Sequence, residues 1–215
     1  FPIFSKKNKK LISDPLDENN PITIQVLGIC SALAVTVQMK AAVVMSVAVL
    51  FVLILANVSI SLIRNLIPNR IRIIVQLVVV AALVIIVDQV LKAYLFDVSK
   101  ELSVFVGLII TNCIIMGRLE AFALGNKPWP AALDAIGNSL GYGMVLVIVS
   151  FFKELFGSGK LFGFEIFGNA TEQTGLYAMG YMDNGLMLLP PSSLILVAVY
   201  IWIQKLRNPS LIETH

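Results

Sequence analysis

Long apolar runs that carry almost no charge are the feature that most constrains how this chain can fold. One such run, from about residue 71 to residue 96, contains VQLVVVAALVIIV between its few polar residues. A soluble core would show short strands or one-faced helices, whereas about twenty consecutive apolar residues are typical of a membrane-spanning helix. Of the 215 residues, 58% are hydrophobic and 13% are charged, compared with about a quarter charged in soluble domains. The sequence therefore predicts an all-α integral membrane protein.

Six apolar segments follow a tail at residues 1–20 and form a single predicted membrane domain over residues 21–207. The segments lie at about 22–37, 41–63, 71–96, 102–116, 131–156 and 186–203. The first and fourth are too short for a full span at about 1.5 Å per residue, which favours half-helical segments there. The opening residues lack an apolar core followed by a small-residue cleavage site, so no signal peptide is expected.

The basic residues fall unevenly on the two sides of this six-segment topology. One side collects eleven of the 16 Lys and Arg residues, and the other side has five: Lys40, Lys92, Lys100, Lys153 and Lys160. Cytoplasmic loops are enriched in Lys and Arg, so both termini are predicted to be cytoplasmic. The net charge of +3 is small and its basic residues lie at the ends of apolar runs, which gives nucleic-acid binding no support.

The two cysteines, Cys30 and Cys113, are the candidate metal ligands. They lie in the two short segments, at equivalent positions in the two halves of the chain. Each follows residues that could interrupt a helix: Gly28 precedes Cys30, and Thr111 and Asn112 precede Cys113. A free cysteine is also among the most buried residue types, so two inert apolar side chains are the competing interpretation.

Three segments followed by three more place the two halves in opposite orientations, because three is odd. The pattern predicts inverted repeats at about residues 21–100 and 101–205, with broken helices that meet at their interface. Free backbone N–H groups at such breaks could stabilise thiolates or sulfide. Iron bound by thiolates usually takes four, so a partner chain or a second copy would supply two more. A secondary transporter or ion channel without iron is the alternative function.

Polar residues inside the apolar runs are mostly interpreted as structural. Asp88 lies four residues before Lys92 near the end of its segment, which favours an interfacial ion pair over an ion-translocation site. Gly141-Tyr-Gly and Gly157-Ser-Gly-Lys lack the spacing of a phosphate-binding loop and are interpreted as helix ends and turns. The only histidine is His215, and no hydrolytic constellation is present.

Dense stretches between residues 19 and 189 resemble a known family. They are NNPITIQVLGICSALAVT, SLIRNLIPNRIRIIVQ, VDQVLKAYLFDVSKELSVFVGLIITNCIIMGRLEAFA, GNSLGYG and FKELFGSGKLFG. These stretches are similar to the D-type membrane subunits of the sodium-translocating NADH:quinone oxidoreductase, and the related Rnf complex has a homologous component. Both cysteine positions of that family match here, at Cys30 and Cys113.

The resemblance implies a function that the spacing of the residues does not establish. In this family, the D subunit and its inversely oriented paralogue, the E subunit, each give two cysteines to a [2Fe–2S] cluster within the bacterial inner membrane; a single iron is the alternative. The implied role is electron relay across the bilayer from the flavin domain of the F subunit toward the flavin of the C subunit. The A and B subunits complete the expected partners, with NADH and ubiquinone as the substrates of the complex.

Overall fold

Helices make up nearly all of the regular structure in this computed structural model. It describes residues 6–16, 19–68, 70–94, 107–158, 160–161, 164–165 and 185–207. In chain order the helices are α1 (Lys6–Ser13), α2 (Ile29–Val35), α3 (Met39–Ile63), α4 (Arg72–Tyr94), α5 (Cys113–Arg118), α6 (Pro128–Ser158), α7 (Gly185–Leu188) and α8 (Pro190–Arg207). The two strands in these ranges, β1 (Lys160–Leu161) and β2 (Phe164–Glu165), form one short antiparallel pair. The predicted all-α class is confirmed.

Three of these helices are long and apolar enough to cross a membrane. They are α3, α4 and the Pro128–Gly157 part of α6. With 25 residues, α3 extends for about 37 Å, which exceeds the roughly 30 Å of a hydrocarbon core. The predicted segments at 41–63, 71–96 and 131–156 are confirmed as helices, except that residues 95–96 lie outside the described part of the chain.

Apolar side chains also cover the outer faces of the long helices. Phe51 on α3 and Ile74, Val78 and Ile86 on α4 are each more than half exposed. A water-soluble protein rarely presents so much contiguous apolar surface, whereas a helix that is apolar on all sides suits a lipid environment. The exposed apolar faces therefore agree with the membrane class.

The first predicted short segment, at 22–37, is only partly helical. Residues 20–28 form turns, and the seven-residue helix α2 begins at Ile29. The side-chain Oδ1 of Asn20 accepts hydrogen bonds from the amides of Ile22 and Thr23, at 3.0 and 3.4 Å. These bonds hold the chain in a turn where apolar composition alone would favour a helix.

The fourth predicted segment, at 102–116, is also broken. Residues 107–110 are helical, Thr111 and Asn112 interrupt the helix, and α5 begins at Cys113; residues 102–106 lie outside the described part. A π-helical turn, Leu119–Ala123, follows α5 directly. The sixth segment, at 186–203, contains most of the 18-residue helix α8. The inverted-repeat topology of six spans remains a prediction.

One compact unit contains residues 1–31 and 44–143. Within it, the N-terminal segment packs on α6 at two glycines. A Cβ atom at Gly137 would lie 2.7 Å from the carbonyl oxygen of Leu11, and one at Gly141 would clash with the carbonyl oxygen of Pro15. Asn20 Nδ2 donates to the carbonyl oxygen of Gly141 at 3.2 Å. The end of the predicted tail is thus packed against this helix.

The other unit contains residues 32–43 and 144–215. Its interior includes a chain of polar side chains. Lys153 Nζ donates to Ser193 Oγ at 2.7 Å, and Thr36 Oγ1 lies 3.3 Å from the same oxygen. Glu154 Oε2 accepts from the backbone amide of Met39 at 2.6 Å, at the start of α3. These bonds satisfy polar groups that would otherwise be costly to bury.

Candidate functional site

Each cysteine stands at the start of a short helix, immediately after a break in the backbone. Gly28 has a φ of +79°, a left-handed conformation that glycine adopts without strain, and α2 begins at the next residue. Cys30 is therefore the second residue of α2. Asn112 has an extended backbone (φ −67°, ψ 121°), and its side chain accepts from the amide of Ile114. It caps α5, of which Cys113 is the first residue.

The two helix starts bring the thiols together although the cysteines are 83 positions apart in the sequence. Cys30 Sγ lies 3.7 Å from Cys113 Sγ. Both cysteines are free and exposed at the surface of the protein. A disulfide would need a sulfur–sulfur distance of about 2.05 Å, so the pair is in contact without being bonded.

The spacing of the sulfurs fits a shared metal ion. A tetrahedral metal at about 2.3 Å from each of two thiolates holds the sulfurs about 3.8 Å apart. The observed distance of 3.7 Å is close to this value. Among the described residues, no group of three or more Cys, His, Asp or Glu side chains is placed to hold a metal ion. The separation is therefore compatible with two ligands of one metal ion, and it is also the distance of two sulfurs in van der Waals contact.

A buried hydrogen-bond network lies directly behind the thiols. Tyr142 Oη lies 2.6 Å from Ser31 Oγ, and Asn112 Nδ2 donates to the same phenol oxygen at 3.3 Å. All three side chains are fully buried. Ser31 follows Cys30 in the sequence and Asn112 precedes Cys113, so the network joins both cysteine-bearing segments to α6.

Most of this network is not evident from the sequence. Gly28 and Asn112 interrupt the chain as predicted, but Thr111 is exposed, and its hydroxyl donates to the carbonyl oxygen of Gly107 at 3.2 Å. The interpretation of Gly141-Tyr-Gly as a helix end or turn is wrong, since these residues lie in the middle of α6. A tyrosine hydroxyl in a mostly apolar segment indicates a buried hydrogen bond, so Tyr142 was the available signal. Its partners are distant in sequence and could not be identified from it.

A second polar network lies beside α5. Arg118 Nε donates to Asp134 Oδ2 at 3.0 Å, Arg118 Nη2 donates to Asp134 Oδ1, and Arg118 Nη1 donates to Gln25 Oε1 at 3.4 Å. Two residues later, in the π-helical turn, Glu120 pairs with Arg72 and accepts from Gln76. The cysteine helix α5 is thus tied at its end to α4, to α6 and to the turn before α2.

The predicted ion pair of Asp88 is confirmed. Lys92 Nζ lies 2.6 Å from Asp88 Oδ2 on the same face of α4. The lysine side chain is 48% exposed and the aspartate side chain 14% exposed, so the lysine end of the pair lies at the protein surface. A local partner already accounts for this carboxylate without a bound cation.

The fold and the paired thiols define a polytopic helical membrane protein that presents two free cysteines at adjacent helix starts. Comparison with known proteins gives this class its family. The chain belongs to the Rnf-Nqr family of membrane-protein subunits, whose model matches residues 8–201. It is 53% identical over 209 residues to the D subunit of the Na(+)-translocating NADH-quinone reductase of Photobacterium profundum, and the match covers 97% of each chain. The resemblance predicted from the sequence is confirmed.

Proposed function

We propose that this chain is a membrane subunit of a sodium-translocating NADH:quinone reductase in which it relays electrons. The near full-length match to the D subunit of such an enzyme supports this assignment. Within the complex, Cys30 and Cys113 hold a [2Fe–2S] cluster together with two cysteines of the paralogous E subunit. The cluster, when bound, accepts and releases one electron at a time, which makes this chain an electron relay coupled to sodium transport.

The observation that carries this proposal is the 3.7 Å separation of Cys30 Sγ and Cys113 Sγ. Two thiolates at this distance can ligate one iron without rearrangement of either helix. Both thiols are exposed, so an iron held by them would be accessible to ligands from another chain. Because thiolate-bound iron normally takes four cysteines, the half-site argues for a partner that contributes an equivalent pair.

Two residues near the thiols have distinct structural roles in this function. Asn112 caps α5 and so fixes the position at which Cys113 leaves the backbone. Gly28 allows the left-handed turn from which α2 starts, two residues before Cys30.

The proposed setting is the bacterial inner membrane, with six membrane segments in two inverted repeats and both termini cytoplasmic. The uneven distribution of Lys and Arg supports this orientation. The A, B, C and F subunits, in addition to the E subunit, are the proposed partners. Reporter fusions at each end of the chain test the orientation, and a periplasmic C-terminus would contradict it.

Two alternatives differ in measurable content. A component of an Rnf-type ferredoxin:NAD oxidoreductase would hold the same cluster but assemble with different electron carriers. A secondary transporter or channel would contain no iron. Iron and acid-labile sulfide assays on the purified complex, together with the identity of its other chains, separate these cases. A single iron without sulfide would replace the [2Fe–2S] assignment.

The decisive experiment replaces each cysteine separately, as Cys30→Ser and Cys113→Ser. Serine is similar in shape but a poor replacement for a thiolate iron ligand. Each variant, measured in the assembled complex, is expected to lose the iron centre and quinone reduction while NADH oxidation at the flavin domain persists. Partial loss of this chain from the complex is also expected, since bound cluster stabilises the interface.

Gly107→Ser is the matched control for these variants. A Cβ atom at Gly107 would meet no other atom within 4 Å, so a hydroxyl is added on the approach to the cysteine helix without steric conflict. This variant is expected to retain iron and turnover. A Cys30→Ser or Cys113→Ser complex with full iron and an unchanged reduced-cluster spectrum would refute the proposed ligation.

A further inference from the structure

The fully buried phenol of Tyr142 contacts both cysteine-bearing segments from a third element, α6. Tyr142 Oη lies 2.6 Å from Ser31 Oγ and 3.3 Å from Asn112 Nδ2. A third distance closes the triangle, since Asn112 Nδ2 also lies 3.4 Å from Ser31 Oγ. We propose that Tyr142 is a positioning residue that sets the separation of Cys30 Sγ and Cys113 Sγ.

Only one assignment of donors and acceptors fits the hydrogen bonds of this network. Ser31 Oγ donates its only hydrogen to the carbonyl oxygen of Gly28 at 2.8 Å. The Tyr142 hydroxyl therefore donates to Ser31 Oγ and accepts from Asn112 Nδ2. Asn112 uses its oxygen to cap α5 at Ile114, so both ends of its amide are committed. Every hydrogen bond in the network then supports a unique arrangement of the two segments.

The ring of Tyr142 adds a steric constraint to these bonds. A Cβ atom at Gly28 would lie 2.9 Å from Cε2 of Tyr142, so the ring packs directly on the backbone of the turn that leads into α2. The hydroxyl thus holds the starts of α2 and α5 relative to each other. The ring limits how closely the Gly28 turn approaches α6. Since Cys30 and Cys113 are the immediate neighbours of Ser31 and Asn112, movement of either segment moves a thiol.

This proposal deepens the proposed function, on which it rests, by naming what keeps the two ligands at metal-binding distance. The thiol geometry is nevertheless a property of the chain itself and can be measured without iron. Disulfide formation provides that measurement, because two thiols lose two protons and two electrons to an added copper–phenanthroline oxidant only when the sulfurs come together. The rate of this oxidation reports how often the two segments hold their thiols in contact.

The experiment uses the full-length chain within membranes of cells grown under iron limitation. The Cys30–Cys113 disulfide is quantified over time by mass spectrometry of peptides that contain both cysteines. Wild type is expected to form it rapidly. Tyr142→Phe keeps the ring but removes both hydrogen bonds. It is expected to slow disulfide formation by about fivefold or more, since each lost hydrogen bond corresponds to about that factor.

Two further variants separate positioning from general destabilisation. Ser61→Ala removes another buried hydroxyl in the same unit, which donates to the carbonyl oxygen of Asn126 at 2.6 Å, and it is expected to leave the rate unchanged. Ser31→Ala is expected to slow disulfide formation like Tyr142→Phe. The effect of the double variant is expected to be less than the product of the two single effects, because both changes break the same bond.

If Tyr142→Phe forms the disulfide as fast as wild type, the positioning role is overturned. It is also overturned if Ser61→Ala slows disulfide formation as much as Tyr142→Phe does. A second measurement uses the iron-loaded complex, in which Tyr142→Phe is expected to retain iron but to shift the midpoint potential and the reduced-state spectrum. If Cys30→Ser kept its iron while Tyr142→Phe still slowed disulfide formation, the cluster assignment would fail and the positioning role would stand.

Discussion

The buried ion pair between Arg118 and Asp134 provides a test of what holds the cysteine helix in place. The Arg118 side chain is 15% exposed and that of Asp134 is 3% exposed, so both charges are largely removed from solvent. At an effective dielectric constant of about 20, charges about 4 Å apart attract by about 4 kcal/mol. In Arg118→Met, the remaining partner of the carboxylate among the described side chains is Asn138 Nδ2 at 3.1 Å.

Breaking a buried pair from one side typically costs about 3–5 kcal/mol, because it leaves an uncompensated charge. For a chain of 215 residues this corresponds to a fall of about 10 °C in the temperature at which the protein unfolds. Arg118→Met combined with Asp134→Leu is expected to recover most of that loss, since it removes both charges. The assay is loss of this chain from detergent-solubilised complex over a temperature series.

The pair on α4, whose lysine is exposed, is the control for this prediction. Lys92→Met removes one partner of the Asp88–Lys92 pair, in which the lysine is 48% exposed. Surface ion pairs contribute about 0–1 kcal/mol, so a small shift is expected. If Arg118→Met were no less stable than Lys92→Met, the claim that burial sets the contribution of an ion pair to stability would be refuted. A double variant as unstable as Arg118→Met alone would show that the packing of Arg118, rather than its charge pairing, stabilises α5.

Two other variants test contacts of the same unit. Gly141→Ala places a methyl group against a backbone carbonyl of the N-terminal segment, so this segment is expected to become several-fold more sensitive to trypsin. Gly125→Ala, whose Cβ atom would lie 3.9 Å from its nearest neighbour, is the control and is expected to resemble wild type. Equal protection of the N-terminal segment in both variants would contradict the packing. Asp88→Asn is expected to lower stability by less than about 1 kcal/mol and to leave sodium-dependent turnover near normal, because Lys92 already compensates the carboxylate. Loss of sodium dependence in assembled complex would overturn that interpretation.

The features that the sequence predicted correctly depend on local patterns. Long, mostly apolar segments predicted the helices α3, α4 and α6, because a chain in lipid must satisfy its backbone hydrogen bonds within each segment. The Asp88–Lys92 pair follows from a spacing of four residues on a helix. Gly28 and Asn112 mark breaks in the chain because a left-handed turn and a helix cap favour those residue types.

Only the tertiary structure decided what these local features do together. The 3.7 Å between Cys30 and Cys113 depends on how two turns pack on α6, and no periodicity links residues that are 83 positions apart. The interpretation of Gly141-Tyr-Gly as a helix end or turn was wrong for the same reason. A tyrosine between two glycines favours a turn on local pattern alone, and the hydrogen-bond partners of Tyr142 lie on other segments. The sequence by itself determined which segments are helices and where they break. Packing between segments determined that the two breaks meet, because the contacts that fix their separation are made by side chains far apart in the chain.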